Sequence, residues 1–264
     1  MNKDSLVELL KNSKKYAPVA PQTITRLVSS TASKYKEKDI EKKTKDLLHQ
    51  IWGAYYSSRP NFHKLLQKIE ETKEDQQVLH ETLKQILMIH ASTKERIPVL
   101  SQFYKDIFQI TGVPQSIIDH ACGFNPLTLP WMNLPSTTKY TAHDIDTEEV
   151  EFVSQALKLI SPEMQTTCTV QDLYDSTNEY ADIVCILKTL PVLEQQQKGS
   201  AKEILAKQNC KHLVVSFPLQ SIGGNNKGMQ NFYPSHFEPI FHELQFKIIK
   251  KLKYSSELVY VLTK

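Results

Sequence analysis

Along residues 1–90 the apolar positions repeat with a helical period. Val7, Leu9 and Leu10 form a short stripe that Pro18 and Pro21 interrupt, and Ile24, Leu27 and Val28 resume it. Between 39 and 56, Ile40, Leu47, Leu48, Ile51 and Tyr55 recur on one helix face. Arg59-Pro60 closes that helix, because a residue before proline avoids the α region. A further helix is predicted over 75–89, with Leu79, Leu83, Ile86 and Leu87 inward. No strand signal interrupts this stretch.

After Gly112 the period changes. Short apolar runs at 116–119, 140–144, 166–170, 181–187 and 212–217 read as five strands. Amphipathic segments such as 147–160 and 193–208 fit between them as helices. Strands alternating with helices make a parallel sheet covered on both faces. The chain closes with 246–252 and 258–262 around a short polar turn, an antiparallel hairpin. The expected fold is α/β: a Rossmann-like, mainly parallel seven-stranded sheet with an N-terminal all-helical domain, divided as 1–88 and 89–264. Five βα units and a terminal hairpin fit a Rossmann-like methyltransferase better than a nicotinamide dehydrogenase.

Composition narrows the setting. The 264 residues are 40% hydrophobic, enough for a real core, and no run approaches 18 apolar residues, so a membrane span is not expected. Charges break every apolar stretch near the start, unlike a secretory signal. Cys122, Cys168, Cys185 and Cys210 form no CxxC pair, which points to a reducing cytoplasm. Net charge is +3, unevenly placed: residues 1–71 carry 14 Lys and Arg against 8 Asp and Glu, leaving −3 for the remainder. A basic N-terminal third suits a partner bearing phosphates; a solvated helical surface would look the same.

In such sheets the ligand binds beyond the carboxyl ends of the strands, beside the first one. Asp119-His120-Ala121-Cys122-Gly123-Phe124-Asn125-Pro126 stands there, and Gly123 lets backbone pass close to a cofactor. An ordinary strand-to-helix turn reads the same way. Asp144 ends the second strand, 25 residues past Asp119, where an acid grips a ribose hydroxyl. It is also placed to cap a helix, a task Asp146 can take before Thr147-Glu148-Glu149. Asp172 follows the third strand and can reach an adenine amino group or serve as a cap. Leu187 and Lys188 end the fourth strand; Lys188 sits over the reacting groups or snorkels to water. Gly223-Gly224-Asn225-Asn226-Lys227-Gly228 lacks the GK[ST] ending of a phosphate loop and reads as a flexible loop at the site's edge. No GxSxG or HExxH occurs, and the nine histidines show no ligand spacing, so no metal is expected.

Across nearly its whole length the chain resembles the aminoglycoside-resistance 16S ribosomal RNA methyltransferases that modify guanine 1405 at N7. The resemblance rests on SKKY (13–16), LHQIWGAYY (48–56), HASTKER (90–96), CGFNPLTLPWM (122–132), HDID (143–146), LKTLPVLE (187–194), SFP (216–218), GGNNKGM (223–229) and ELVY (257–260) in order. One departure is Ala121, where the family often has glycine.

The resemblance implies a class I methyltransferase fold and S-adenosyl-L-methionine as cofactor. It implies that His90, Ala91, Ser92 and Arg96 cover the methionine end, with Arg96 on the carboxylate. It makes Ala121, with Gly123, the backbone contact, Asp144 the ribose acid, Gln171 and Asp172 the adenine contacts, and Leu187 a wall. Gln196 and Tyr55 are further contacts. Lys188 and Ser216 would stand at the reacting site, Phe217 would stack on the base, and Glu257 would hydrogen-bond it. Lys14, Lys15, Arg26, Lys42, Lys43 and Lys45 would dock on phosphates of the assembled 30S subunit. N7 lies in the deep, narrow groove of an RNA helix, so the nucleotide is expected to flip or distort. A monomeric cytoplasmic enzyme is expected. The rivals are a methyltransferase for another decoding-site base and a non-catalytic ribosome-binding protein.

Overall fold

The computed structural model describes residues 2–219 and 229–264; the expected loop at 223–228 lies outside them. The N-terminal region is helical: α1 (Lys3–Lys11), α2 (Pro21–Lys34), α3 (Glu37–Ile51), α4 (Phe62–Thr72) and α5 (Gln76–Leu87). Then come α6 (Ala91–Lys94), α7 (Leu100–Thr111), β1 (Ser116–His120), α8 (Leu129–Met132), β2 (Lys139–Asp144), α9 (Thr147–Ile160) and β3 (Thr166–Val170). The chain continues through β4 (Tyr180–Leu187), α10 (Leu190–Gln196), α11 (Ser200–Ala206), β5 (Asn209–Pro218), α12 (Met229–Glu243), β6 (Lys247–Lys253) and β7 (Glu257–Thr263).

The seven strands lie in the order β3-β2-β1-β4-β5-β7-β6. The first five are parallel, and β7 inserts antiparallel between β5 and β6. Alternation along each strand divides the sheet into two apolar faces. Ile117, Ile183, Val214 and Val259 pack with α4, α5, α7 and α9. Ile118, Val215, Phe217 and Tyr260 pack on the opposite face with α10, α11 and α12. A third cluster joins α1, α2 and α3 through Leu10, Ile24, Leu27, Val28 and Leu48.

Three details depart from the sequence expectation. The helix expected over 193–208 is two helices, because Gly199 adopts φ +92° and breaks the run. The Glu194 carboxylate then accepts from the backbone N–H of Gly199 and Ala201, starting α11. The helix expected over 39–56 ends at Ile51 and passes into a 3₁₀ turn, Gly53–Tyr55. Helices α4 and α7 were not foreseen, and α12 was implied only by the fifth βα unit; it holds Pro234 and Pro239, which disguise its bounds.

The helical region is pinned to the rim of the sheet at Asp146. Ala20 N–H donates to the Ile145 carbonyl at 2.7 Å, and Thr147 N–H to the Pro18 carbonyl at 2.8 Å. The buried Asp146 carboxylate accepts from Trp52 Nε1 at 2.6 Å and from both terminal Arg59 nitrogens at 2.6 and 2.8 Å. It also caps α9 by accepting Glu149 N–H at 3.0 Å. Asp146→Ala leaves these donors stranded and is expected to destabilise the protein by about 2–3 kcal/mol. Asp146→Asn retains the cap and is expected to lose about half as much. Urea unfolding of the two variants checks both values.

Candidate active site

The parallel strands end on one rim, where a cleft encloses about 710 Å³ counted out to its open mouth. Its floor is Ala121 and Gly123 after β1 with Asp144 at the end of β2. Gln171 and Asp172 after β3, Leu187 on β4 and Leu193 on α10 form the sides. The facing wall is Arg26, Trp52, Tyr55 and Tyr56 from the helical region, with His90 and Ser92 at the start of α6.

The turn after β1 is shaped by backbone. Gly123 adopts φ +49° and its N–H donates to Asp144 Oδ2 at 2.9 Å. A Cβ at this position would lie 2.8–2.9 Å from the His90 ring. Ala121 adopts φ +51° without glycine's freedom, a strain of roughly 1–2 kcal/mol at the cleft floor. Asp144 Oδ1 accepts from Ile145 N–H at 2.7 Å. Burial pushes the Asp144 carboxyl up to about 6, against the Gly123 N–H, which favours its charged form.

His90 stacks on Tyr55, with rings 5.2 Å apart and nearly parallel, and meets Tyr56 edge-on. Its Nδ1 shares a 2.9 Å hydrogen bond with the Ser92 hydroxyl. Burial, helped by the nearby Lys188 and Arg96 charges, pushes His90 down to about 3, so the ring is neutral. Burial and the Asp144 charge push the Tyr55 hydroxyl up to about 12. Gln171 Oε1 is buried without a hydrogen-bond partner among the described residues, an acceptor with spare capacity beside the cleft. Asp172 caps the turn after β3 by accepting Tyr174 N–H at 3.1 Å.

Glu149 also lines the cleft, and sequence reasoning missed it. Burial, then the Asp144 and Asp146 charges, hold its carboxyl well above the ordinary value, and Tyr56 donates its hydroxyl to it. In the sequence it is one of two adjacent glutamates in a first helical turn, with nothing to set it apart from Glu148.

The other expected site residues lie away from the cleft lining. Arg96 is 2% exposed and donates Nε and a terminal nitrogen to the two Glu257 oxygens at 3.0 and 2.8 Å. Its remaining terminal nitrogen donates to Asn125 Oδ1 at 2.6 Å. Glu257 is therefore the partner of Arg96 rather than an exposed group for a base. Burial opposes its ionisation, but Arg96 and Lys188 overcome this and hold its carboxyl below the ordinary value. Lys188 adopts φ +60° and is buried; its Nζ donates to the Ser92 carbonyl at 3.1 Å and to Glu95 at 2.7 Å. Ser216 accepts from Lys188 N–H at 3.1 Å and its hydroxyl donates to Glu257. Phe217 points to the other face of the sheet, enclosed by Tyr233, Phe237 and Tyr260, because neighbouring strand residues alternate. It offers no free ring to a base. Gln196 ties α10 to α3 by donating to the Leu47 carbonyl at 3.2 Å, and Ala91 opens α6 without lining the cleft.

The basic residues divide. Lys15, Lys42 and Lys45 line a shallow surface groove with Lys38 and His49. Lys14 is exposed nearby in sequence, Lys43 lies over the Tyr35 ring, and Lys45 pairs with Glu41. Arg26 is not on that surface: it pairs with Asp172 at 2.8 Å inside the cleft wall.

A mainly parallel sheet closed by an antiparallel β7, with an acid at the end of β2 below a glycine turn, defines a Rossmann-like methyltransferase fold. The chain belongs to the FmrO ribosomal RNA methyltransferase family, whose model matches residues 12–261. It is 38% identical to a 16S rRNA (guanine(1405)-N(7))-methyltransferase of Micromonospora rosea over 99% of this chain and 96% of that one. Among solved structures, the 16S rRNA methyltransferase RmtF in complex with S-adenosyl-L-homocysteine matches with TM-score 0.84 and 30% identity, covering 100% and 99% of the chains. An rRNA methylase from Escherichia coli matches with TM-score 0.80 and 27% identity, covering 100% of both.

Two substitutions probe this geometry. Gly123→Ala drives a Cβ into His90 at positive φ and is expected to destabilise the protein by about 1–3 kcal/mol. Glu257→Gln leaves Arg96 buried with a neutral partner and is expected to lose about 3 kcal/mol. Glu257 has a depressed folded pKa, so its stabilisation is present above its ordinary value and fades as pH falls through the folded value. Denaturant unfolding from neutral to acid pH should therefore show a smaller acid loss in Glu257→Gln than in the wild type.

Proposed function

We propose that this protein transfers a methyl group from S-adenosyl-L-methionine to N7 of guanine 1405 of 16S rRNA in the assembled 30S subunit, conferring aminoglycoside resistance. The observation that carries the reading is the cleft at the strand ends, in a chain similar along its length to guanine-1405 N7 methyltransferases. The residues fit the cofactor. Asp144 offers a carboxylate to ribose hydroxyls, while Gln171 Oε1 and Asp172 offer acceptors to an amino group. The Ala121–Gly123 turn lets the ligand approach backbone, and Tyr55, His90 and Leu187 supply apolar walls. The cleft wall at His90 and Ser92 lies nearest the buried Lys188, whose Nζ donates to the Ser92 carbonyl, and is where the methionine end would sit.

When bound, the cofactor supplies a methyl activated by a sulfonium. Guanine N7 carries an in-plane lone pair and no proton, so the protein need not provide a general base. The task left to the chain is orientation of the two reactants. The buried Arg96, Lys188 and Glu257 hold α6 against the ends of β4 and β7 and so fix one side of the cleft. Residues 1–88 form the ribosome-docking part, which also lends Arg26, Trp52, Tyr55 and Tyr56 to the cleft, and 89–264 the cofactor-binding part. Lys14, Lys15, Lys42, Lys43 and Lys45 meet phosphates on the basic face. The protein works as a monomer in the cytoplasm; among the described residues no helix is long and apolar enough to cross a membrane.

The test is incubation with purified small subunits and radiolabelled S-adenosyl-L-methionine, followed by mapping of the label. Label on N7 of guanine 1405 is expected. Label on another base would remove the target assignment, and subunit binding without label would favour a non-catalytic role. Cofactor binding also has an expected pH dependence. Protonation of Asp144 near pH 6 removes an acceptor for the ribose, so affinity falls as pH drops below that value, by at most about tenfold per unit. Titration calorimetry at about pH 5 and pH 7.5 reads the difference.

A further inference from the structure

We infer that Arg26 and Thr23, both on the N-terminal helix α2, are positioning residues for nucleobase recognition: they fix the Asp172 carboxylate so that its other oxygen reads a 6-amino group. The inference rests on the cleft being the S-adenosyl-L-methionine site. Three donors converge on a single oxygen. Thr23 Oγ1 donates to Asp172 Oδ2 at 2.7 Å, and Arg26 Nε and a terminal nitrogen donate to the same atom at 3.0 and 2.8 Å. Oδ1 accepts Tyr174 N–H at 3.1 Å. A carboxylate oxygen has two lone pairs, so Oδ1 retains one. Asp172 is 2% exposed yet lines the cleft, so a donor entering the cleft is well placed to use it.

Arg26 is held in turn. Its guanidinium stacks 4.1 Å from the Tyr174 ring, and the Tyr174 hydroxyl shares a 2.5 Å hydrogen bond with Ser200. Thr23 is fully buried and its hydroxyl has a clear partner in Asp172. A carboxylate turns about its last torsion with a broad, roughly two-fold preference. Donors gathered on one oxygen suppress that rotation. An anionic acceptor held this way favours an amino group and disfavours a keto oxygen. The helical part of the chain thereby takes part in cofactor selection and not only in docking.

The experiment is titration calorimetry with S-adenosyl-L-homocysteine and S-inosyl-L-homocysteine, which differ by amino against keto at purine position 6 and by the proton that the inosine ligand carries on N1. The wild type is expected to prefer the adenine ligand by about tenfold or more. Arg26→Gln and Thr23→Val are expected to cut that preference to about threefold or less, with small-subunit binding within about twofold of wild type. Equal loss of affinity for both ligands, with the preference intact, would mark a merely structural role and overturn the inference. If Asp172→Ala abolishes the preference while both α2 variants keep it, the inference fails and the cofactor reading stands. If Asp172→Ala also keeps the preference, the base is read elsewhere, as by Gln171, and the inference fails with the cofactor reading intact; that reading falls only if the wild type binds neither ligand.

Discussion

The buried pair of Arg96 and Glu257 holds the active-site rim together. Arg96 leaves α6 at the end of the helical region, and Glu257 opens β7, the antiparallel strand beside β5. Their two parallel hydrogen bonds join segments 161 residues apart with both side chains almost fully enclosed. Such a pair adds little by itself, because desolvation offsets much of the attraction, but losing either partner strands a buried charge. The geometry makes the position intolerant of change. Asn125 connects Arg96 to Asp119, and Asp119 also accepts from Tyr140 at 2.7 Å. The β1 turn, α6, β2 and β7 are thus fixed relative to one another by one polar lattice under the cleft.

Acidic residues at the strand ends do two jobs at once. Asp146 binds Trp52 and Arg59 and caps α9, while Asp172 binds Thr23 and Arg26. Both fasten the helical region to the sheet across the cleft. Asp144 between them keeps its carboxylate for backbone N–H groups and for whatever enters. Lys188, in a left-handed backbone conformation, turns its ammonium back to Ser92 and Glu95 and locks α6 from below. The site is therefore assembled jointly by the two regions.

Most of the fold was legible because its signals are local. The change from helical spacing to short apolar runs after Gly112 marks where the sheet begins, and the closing hairpin sits where its two segments and polar turn placed it. The break at Gly199 depended on Glu194 supplying caps, a contact that periodicity does not report. Within the site, strand-end acids and the glycine turn were readable from position. Roles that require knowing which face a side chain takes were harder. Ser216 and Phe217 were grouped by adjacency, although alternation already sends them to opposite faces. Arg26 looked like one more cation in a basic stretch, and only the approach of α2 to the turn after β3 sets it beside Asp172. Glu149 is set apart by the Tyr56 hydroxyl, distant in sequence, and by the Asp144 charge at the end of β2.

The central claim is that sheet and helical region together form the cofactor site. Hydrogen exchange with and without S-adenosyl-L-homocysteine tests it most directly. The account predicts slowed exchange at 52–56, 90–96, 119–124, 144–149 and 171–174, with the basic face of α3 unchanged. Protection confined to the strand-end segments, with 52–56 and 90–96 unaffected, would contradict it.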